Sequence, residues 1–283
     1  MSLDGRPRKL ALLAAALALA GILAGGQAAA ARSKPRHARL RSDAAQVAVP
    51  RGQPVQIAFT ADTTDLPEYS QSIENAVLMA IEQHPRIRGF PIQLNVVETR
   101  CGQDPDVDAD DAAAAQTIVA NPQNAAVLGN LCSFGFPSAL AIYQAAGLVA
   151  MSGSATADWL PSPTLWVFDR TALSDGDGFA DWYARVQALP TDVAWQSDYT
   201  AEFGSAPQPF SDLYFDAAGL LLERLQQVSR RNGDELVIGR AALATAVRQT
   251  TDYEGVTCTI NLDPATGNRI DDPAALPLCG AQS

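Results

Sequence analysis

Residues Ala125–Asp158, AAVLGNLCSFGFPSALAIYQAAGLVAMSGSATAD, hold two units of the same kind. In each, a short apolar run leads at once into small polar residues: Ala125–Gly129 into Asn130-Leu131-Cys132-Ser133, and Leu148–Met151 into Ser152-Gly153-Ser154-Ala155-Thr156. Short apolar runs alternating with helical segments are the pattern of buried parallel strands in an α/β domain. Ligands of such sheets bind beyond the carboxyl ends of the strands, where loop hydroxyls and helix-start N–H groups converge. Ser133, Ser154 and Thr156 are therefore expected at one rim.

Outward from this stretch the alternation continues. Val55–Thr60 is a first strand, followed by a helix from about Tyr69 to His84 that Pro85 stops. Pro91–Thr99 is a second strand, Asp106–Ala120 a second helix, and Pro137–Ala146 a third. With Ala125–Gly129, Leu148–Met151 and Thr164–Phe168, this predicts a doubly wound parallel five-stranded α/β sheet with right-handed crossovers. From Gly178 the pattern turns helical: Phe179, Trp182, Tyr183 and Val186 share one face, and further helices are expected around Val193–Phe203, over Phe210–Arg230 and over Ala241–Gln249. Gly255–Leu262 is the single convincing strand after Phe168, so the C-terminal helices are expected to pack back on the first sheet.

The chain has 283 residues, 47% hydrophobic, with a net charge of −11 that is unevenly spread. Residues 32–51 are basic, whereas residues 52–283 carry 11 Arg against 29 Asp plus Glu, a balance of −18. So acidic a body disfavours phosphate backbones, and no nucleic-acid partner is expected. Arg6, Arg8 and Lys9, the apolar Leu10–Leu23 and the small Ala28-Ala29-Ala30 form an export signal over residues 1–31, with an uncleaved anchor as the alternative. Gly26 stands where a lipidated cysteine would follow Leu23-Ala24-Gly25, so a periplasmic or secreted protein is expected. Residues 32–52 are then a basic flexible leader, 53–170 the α/β lobe, 171–250 the returning helices and 251–283 a terminal strand and tail.

Cys101, Cys132, Cys258 and Cys279 all lie in the exported part. An even count in an oxidising compartment suggests two disulfides; of the three connectivities, sequence order and predicted strand ends favour Cys101–Cys132 and Cys258–Cys279. A metal site would need a C-x-x-C pair or a nearby histidine, and neither is present.

The order VQIAFT, a loop ending in Tyr69, VLGNLCS, MSGSAT, FSDLYFDAAGLLLERL and TTDYEGVTCTINLD resembles the leucine/isoleucine/valine-type solute-binding proteins of ABC importers, which have the type I periplasmic-binding fold. The match runs through most of residues 53–268. The resemblance implies binding of an amino acid or small amide between two lobes, in partnership with an ABC permease. It places Ser133, Ser154, Ala155 and Thr156 on the ligand's carboxylate, Tyr69 at the cleft wall, and a Cys101–Cys132 bridge beside the cleft. Between Arg170 and about Thr191 the chain is shorter than the family pattern by about a lobe, on the order of a hundred residues. One lobe with a vestigial second is expected, and with it a weakened closure around the ligand.

Each reading has a plainer rival. Ser133 and Thr156 could simply cap helices or turns. The acidic run Asp104, Asp106, Asp108, Asp110, Asp111 lacks the Gly and Glu of a calcium loop and suits a helix start. No G-x-S-x-G elbow, Ser–Lys pair or glycine-rich nucleotide loop is present, so neither an enzyme nor a cofactor is expected. The second functional reading is a ligand-incompetent interaction module or truncated remnant, self-associating through a cleft face lined by Tyr69, Phe134, Phe136 and Trp159.

Overall fold

Side chains along VQIAFTA alternate between two helical layers, which makes this stretch the centre of the sheet. The computed structural model describes residues 46–102, 106–155, 157, 160 and 191–270. In chain order the elements are β1 (Gln46–Val49), β2 (Val55–Ala61), α1 (Pro67–Gln83), β3 (Arg86–Ile87), β4 (Phe90–Glu98), α2 (Val107–Ala120), β5 (Asn124–Leu128), α3 (Phe136–Ala145) and β6 (Val149–Met151). After residue 190 come α4 (Val193–Phe203), α5 (Ser211–Val228), β7 (Arg230–Asn232), β8 (Glu235–Gly239), α6 (Arg240–Arg248), β9 (Tyr253–Gly255) and β10 (Cys258–Ile260). The expected strand Thr164–Phe168, the helix around Phe179–Val186, the signal 1–31, Thr156, Trp159 and Cys279 lie outside the described residues.

The main sheet has the order β3-β4-β2-β5-β6. Strands β4, β2, β5 and β6 are mutually parallel, and β3 is a short antiparallel addition to β4. Ile57, Phe59, Ala126, Leu128, Val149 and Met151 face one layer; Ala58, Val127 and Ala150 face the other. This is the two-residue period of a pleated strand buried on both sides. The first layer is formed by α1 and α5, with Ile73, Ala76 and Val77 against Leu220, Leu221 and Leu225. Burying each of these large side chains contributes about 1.5–3 kcal/mol. The second layer is α2 and α3, with Ala115 and Ile118 against Phe136, Ala139, Leu140 and Tyr143. The expected return of the C-terminal helices onto the first sheet is thus seen in α5.

Helix α4 starts at Asp192, whose side chain accepts from the Ala194 and Trp195 N–H groups at 2.7 and 3.3 Å, and ends at Gly204 in the left-handed region. Its Tyr199 meets Ser72 of α1 at 2.9 Å, and Ser72 also meets Ser211 of α5 at 3.0 Å. One buried hydroxyl thereby ties three helices.

Three expectations are corrected. Gln46–Val49, inside the expected flexible leader, is a strand, because Val47 and Val49 are fully buried when it pairs with β8. Two strands, β7 and β8, lie between α5 and α6 where no strand was expected, and with β1 they form an antiparallel three-stranded sheet. Gly255–Leu262 is not one strand: β9 and β10 fold back on each other about Val256-Thr257. The reason is Asp216 of α5, whose carboxylate accepts the Val256 and Thr257 N–H groups at 2.8 and 2.9 Å and bends the chain there. Among the described residues no second parallel sheet follows β6.

Candidate functional site

The chain starts the parallel sheet at β2, adds β4 on one side and then β5 and β6 on the other. The carboxyl ends of β2 and β5 therefore flank the crevice where the winding direction reverses, the usual ligand position in an open α/β sheet. Four loops meet there: 62–66, 99–102, 129–135 and 152–155 with Ala157.

The β2 and β4 loops are joined by a buried carboxylate. Asp62 is fully buried, and its carboxylate accepts the Cys101 N–H at 2.7 Å and the Asp65 N–H at 2.8 Å. The Cys101–Cys132 disulfide, Cα–Cα 5.4 Å, then links the β4 loop to the β5 loop. At the outer edge Glu98 accepts from the hydroxyls of Thr63 and Thr64, while Arg100 lies between Asp65 at 3.4 Å and Asp110 at 3.6 Å.

The β5 and β6 loops are joined more tightly. Ser152 Oγ donates to the Asn130 carbonyl at 2.6 Å, and Ser154 Oγ donates to the Leu131 carbonyl at 2.6 Å. The Ala157 N–H donates to Ser133 Oγ at 3.2 Å. Beneath them stands Tyr214 of α5. Its hydroxyl donates to the Asn130 carbonyl at 3.2 Å and lies 3.3 Å from both Ser152 Oγ and Ser154 Oγ, and its ring packs edge-on against Phe59 at 6.1 Å. Burial pushes the Tyr214 hydroxyl up to about 12, so it stays protonated. Gly153 is needed for this approach: a Cβ there would lie 2.8 Å from the Tyr214 ring.

The sequence-selected residues fall into distinct positions. Ser133 is half-buried, and it is not a helix cap: α3 starts at Gly135 with no side-chain cap bond. Its oxygen takes the Ala157 N–H through a lone pair, which leaves the hydroxyl proton to donate elsewhere. Ser154 and Ala155 are each 5% exposed, and the Ser154 hydroxyl is turned inward. Tyr69, in the first turn of α1, is partly buried against the main core with its ring edge-on to Phe210 at 6.4 Å. Of the aromatics assigned to an open face, Phe134 is 40% exposed, whereas Phe136 is fully buried because the start of α3 turns it into the second layer. Tyr214 escaped the sequence reading because it lies on the apolar stripe of an amphipathic helix. Among the described residues no group of three or more His, Cys, Asp or Glu is arranged to hold a metal ion.

A central parallel sheet between two helical layers, with loops gathered at the strand ends, is the architecture of the type I periplasmic-binding fold. Solved structures agree. A candidate branched-chain amino acid ABC transporter from Rhodospirillum rubrum matches with a TM-score of 0.60 and 14% identity, over 77% of this chain and 95% of that one. The branched-chain amino acid transporter substrate binding protein LivJ from Streptococcus pneumoniae, solved with isoleucine, matches at TM-score 0.58 and 15% identity over 77% and 94%. A substrate-binding protein from Desulfitobacterium hafniense, solved with Leu, matches at 0.58 and 15% over 78% and 96%. No protein-family model and no curated protein sequence matches the chain.

Proposed function

We propose that this chain is an extracytoplasmic solute-binding protein of the ABC import type, with no enzymatic activity of its own. Its ligand is a branched-chain amino acid or a related small polar solute, and an ABC permease is its partner. One observation carries the reading: on this fold, the β5 and β6 loops close on each other at the switch-point crevice, through Ala157 to Ser133 and Ser154 to Leu131. Ser133 then offers its hydroxyl proton to the ligand carboxylate, Thr156 adds a second hydroxyl, and Tyr69 walls the crevice. Ser154 and Ala155 shape the seat from below. An exported location follows from the signal at residues 1–31; none of the described helices is long and apolar enough to cross a membrane.

Isothermal titration of the mature chain with leucine, isoleucine, valine, urea and short amides tests the proposal. Weak heat with at least one is expected, because contacts from one lobe leave the ligand partly solvated and each lost contact costs about 1 kcal/mol. No heat with any of them counts against it.

A second reading, a ligand-incompetent module that pairs with another copy, is favoured by the inward use of the seat. Tyr214 already engages Ser152, Ser154 and the Asn130 carbonyl, while Phe134 remains exposed. Light scattering separates the two: a strict monomer opposes this reading, and a dimer silent in the titration supports it.

A further inference from the structure

Asp111 of α2 and Asn130 of the β5 loop face each other in the second layer, each only 1% exposed. Asn130 Nδ2 donates to Asp111 Oδ2 at 2.7 Å. The other oxygen of each side chain, Asp111 Oδ1 and Asn130 Oδ1, is buried without a hydrogen-bond partner among the described residues. With an ionised carboxylate both orphan atoms are acceptors, and nothing can join them. Leaving two buried acceptors unsatisfied costs about 1–3 kcal/mol apiece. A single proton removes both defects: the acid O–H donates to the amide oxygen while the amide N–H donates to the acid carbonyl.

We propose that Asp111 is held as the neutral acid and closes a reciprocal acid–amide pair with Asn130, so that its proton latches the 129–133 loop. The surroundings favour the neutral form. Burial pushes the Asp111 carboxyl up to about 7; the Asn130 amide and the Arg100 main-chain N–H favour the anion without offsetting burial, and Asp108 and Asp110 on the same helix push it further up. Tyr143 of α3, fully buried, is itself held in its neutral form by burial. The Arg100 guanidinium is turned away to Asp65 and Asp110. Gly135, at φ 76°, lets the chain pass directly over the acid, since a Cβ there would lie 2.4 Å from Asp111 Oδ2.

The latch bears on the seat because the same Asn130 offers its main-chain carbonyl to Ser152 and Tyr214. It stands whether or not the rim takes a solute. Its pH signature has one sign. Between about 4, the unfolded carboxyl value, and about 7, the folded state binds a proton that the unfolded state lacks, so stability falls as pH rises through that window and levels above it.

The test compares the wild type with Asp111→Asn, whose amide reproduces the reciprocal pair with no proton to lose. The two should melt within about 2 °C of each other near pH 5, and the wild type should fall behind by roughly 5–10 °C near pH 8. Parallel profiles, or a variant destabilised at every pH, would show that Asp111 works as an anion satisfied by a bound water or ion. Should the variant fail to fold, a carboxyl-carbon NMR titration of the wild type decides: a midpoint near 7 supports the latch and one near 4 overturns it.

Discussion

Asp111 and Asp216 are both 1% exposed, yet the donors that reach their carboxyl groups differ. Asp216 receives three donors, the Val256 and Thr257 N–H groups and the Thr257 hydroxyl at 2.5 Å, and its carboxyl is pushed up by burial only to about 6. Asp111 has one side-chain amide and one main-chain N–H, faces the orphaned Asn130 Oδ1, and rises to about 7. The same group under the same burial is an anchor where donors surround it and, in the proposed latch, an acid where an acceptor faces it. The number of donors, not depth, decides.

The largest effect should come from making the two sites chemically equal. Asp216→Asn turns an amide N–H toward main-chain N–H groups and should cost about 3 kcal/mol in urea unfolding, whereas Asp111→Asn should cost less than about 1 kcal/mol. Equal losses would erase the distinction between the two carboxyl groups. Next, replacing both Cys101 and Cys132 by Ser opens a 31-residue loop and should cost about 3 kcal/mol by denaturant midpoint. Because that bridge lies on the Asp111 side, its loss should loosen the loop over the acid, flatten the pH dependence assigned to Asp111 and leave that of Asp216 unchanged.

Tyr214→Phe should cost about 1–2 kcal/mol, and a double-mutant cycle with Asp111→Asn should show coupling through Asn130. Paired with Asp216→Asn it should be closer to additive. Smallest of all, Ser133→Ala should leave the melting temperature nearly unchanged and weaken solute binding about fivefold in calorimetry, the worth of one hydrogen bond. The pH profiles sharpen the contrast further. Both acids are raised, so both lose stability with rising pH, but the Asp216 contribution should level near pH 6 and that of Asp111 near pH 7.

Most of the parallel sheet was legible because β2, β5 and β6 are short apolar runs buried on both faces and bounded by polar or glycine turns. Strand β7 was not: Arg230, Arg231 and Asn232 are all exposed, and its one local signal is the Asn232-Gly233 turn. Strand β1 was hidden by its length of four residues and by the basic stretch before it. Within the site, Ser133 was found from its place after a strand. Asp111 was lost within an acidic run, and Tyr214 within an apolar helix face, because composition does not show which member of a run is buried.

The sequence alone determined the parallel strands β2, β4, β5 and β6, the helices between them and the loops that share the carboxyl rim, since periodicity and turn residues act over a few positions. Only the tertiary structure decided what the rim's polar groups do. Asn130 meets Asp111 across 19 residues and Tyr214 across 84, and Asp216 meets Val256 across 40. Charge state and hydrogen bonding depend on the donors that arrive in space, and these come from parts of the chain that no local pattern connects.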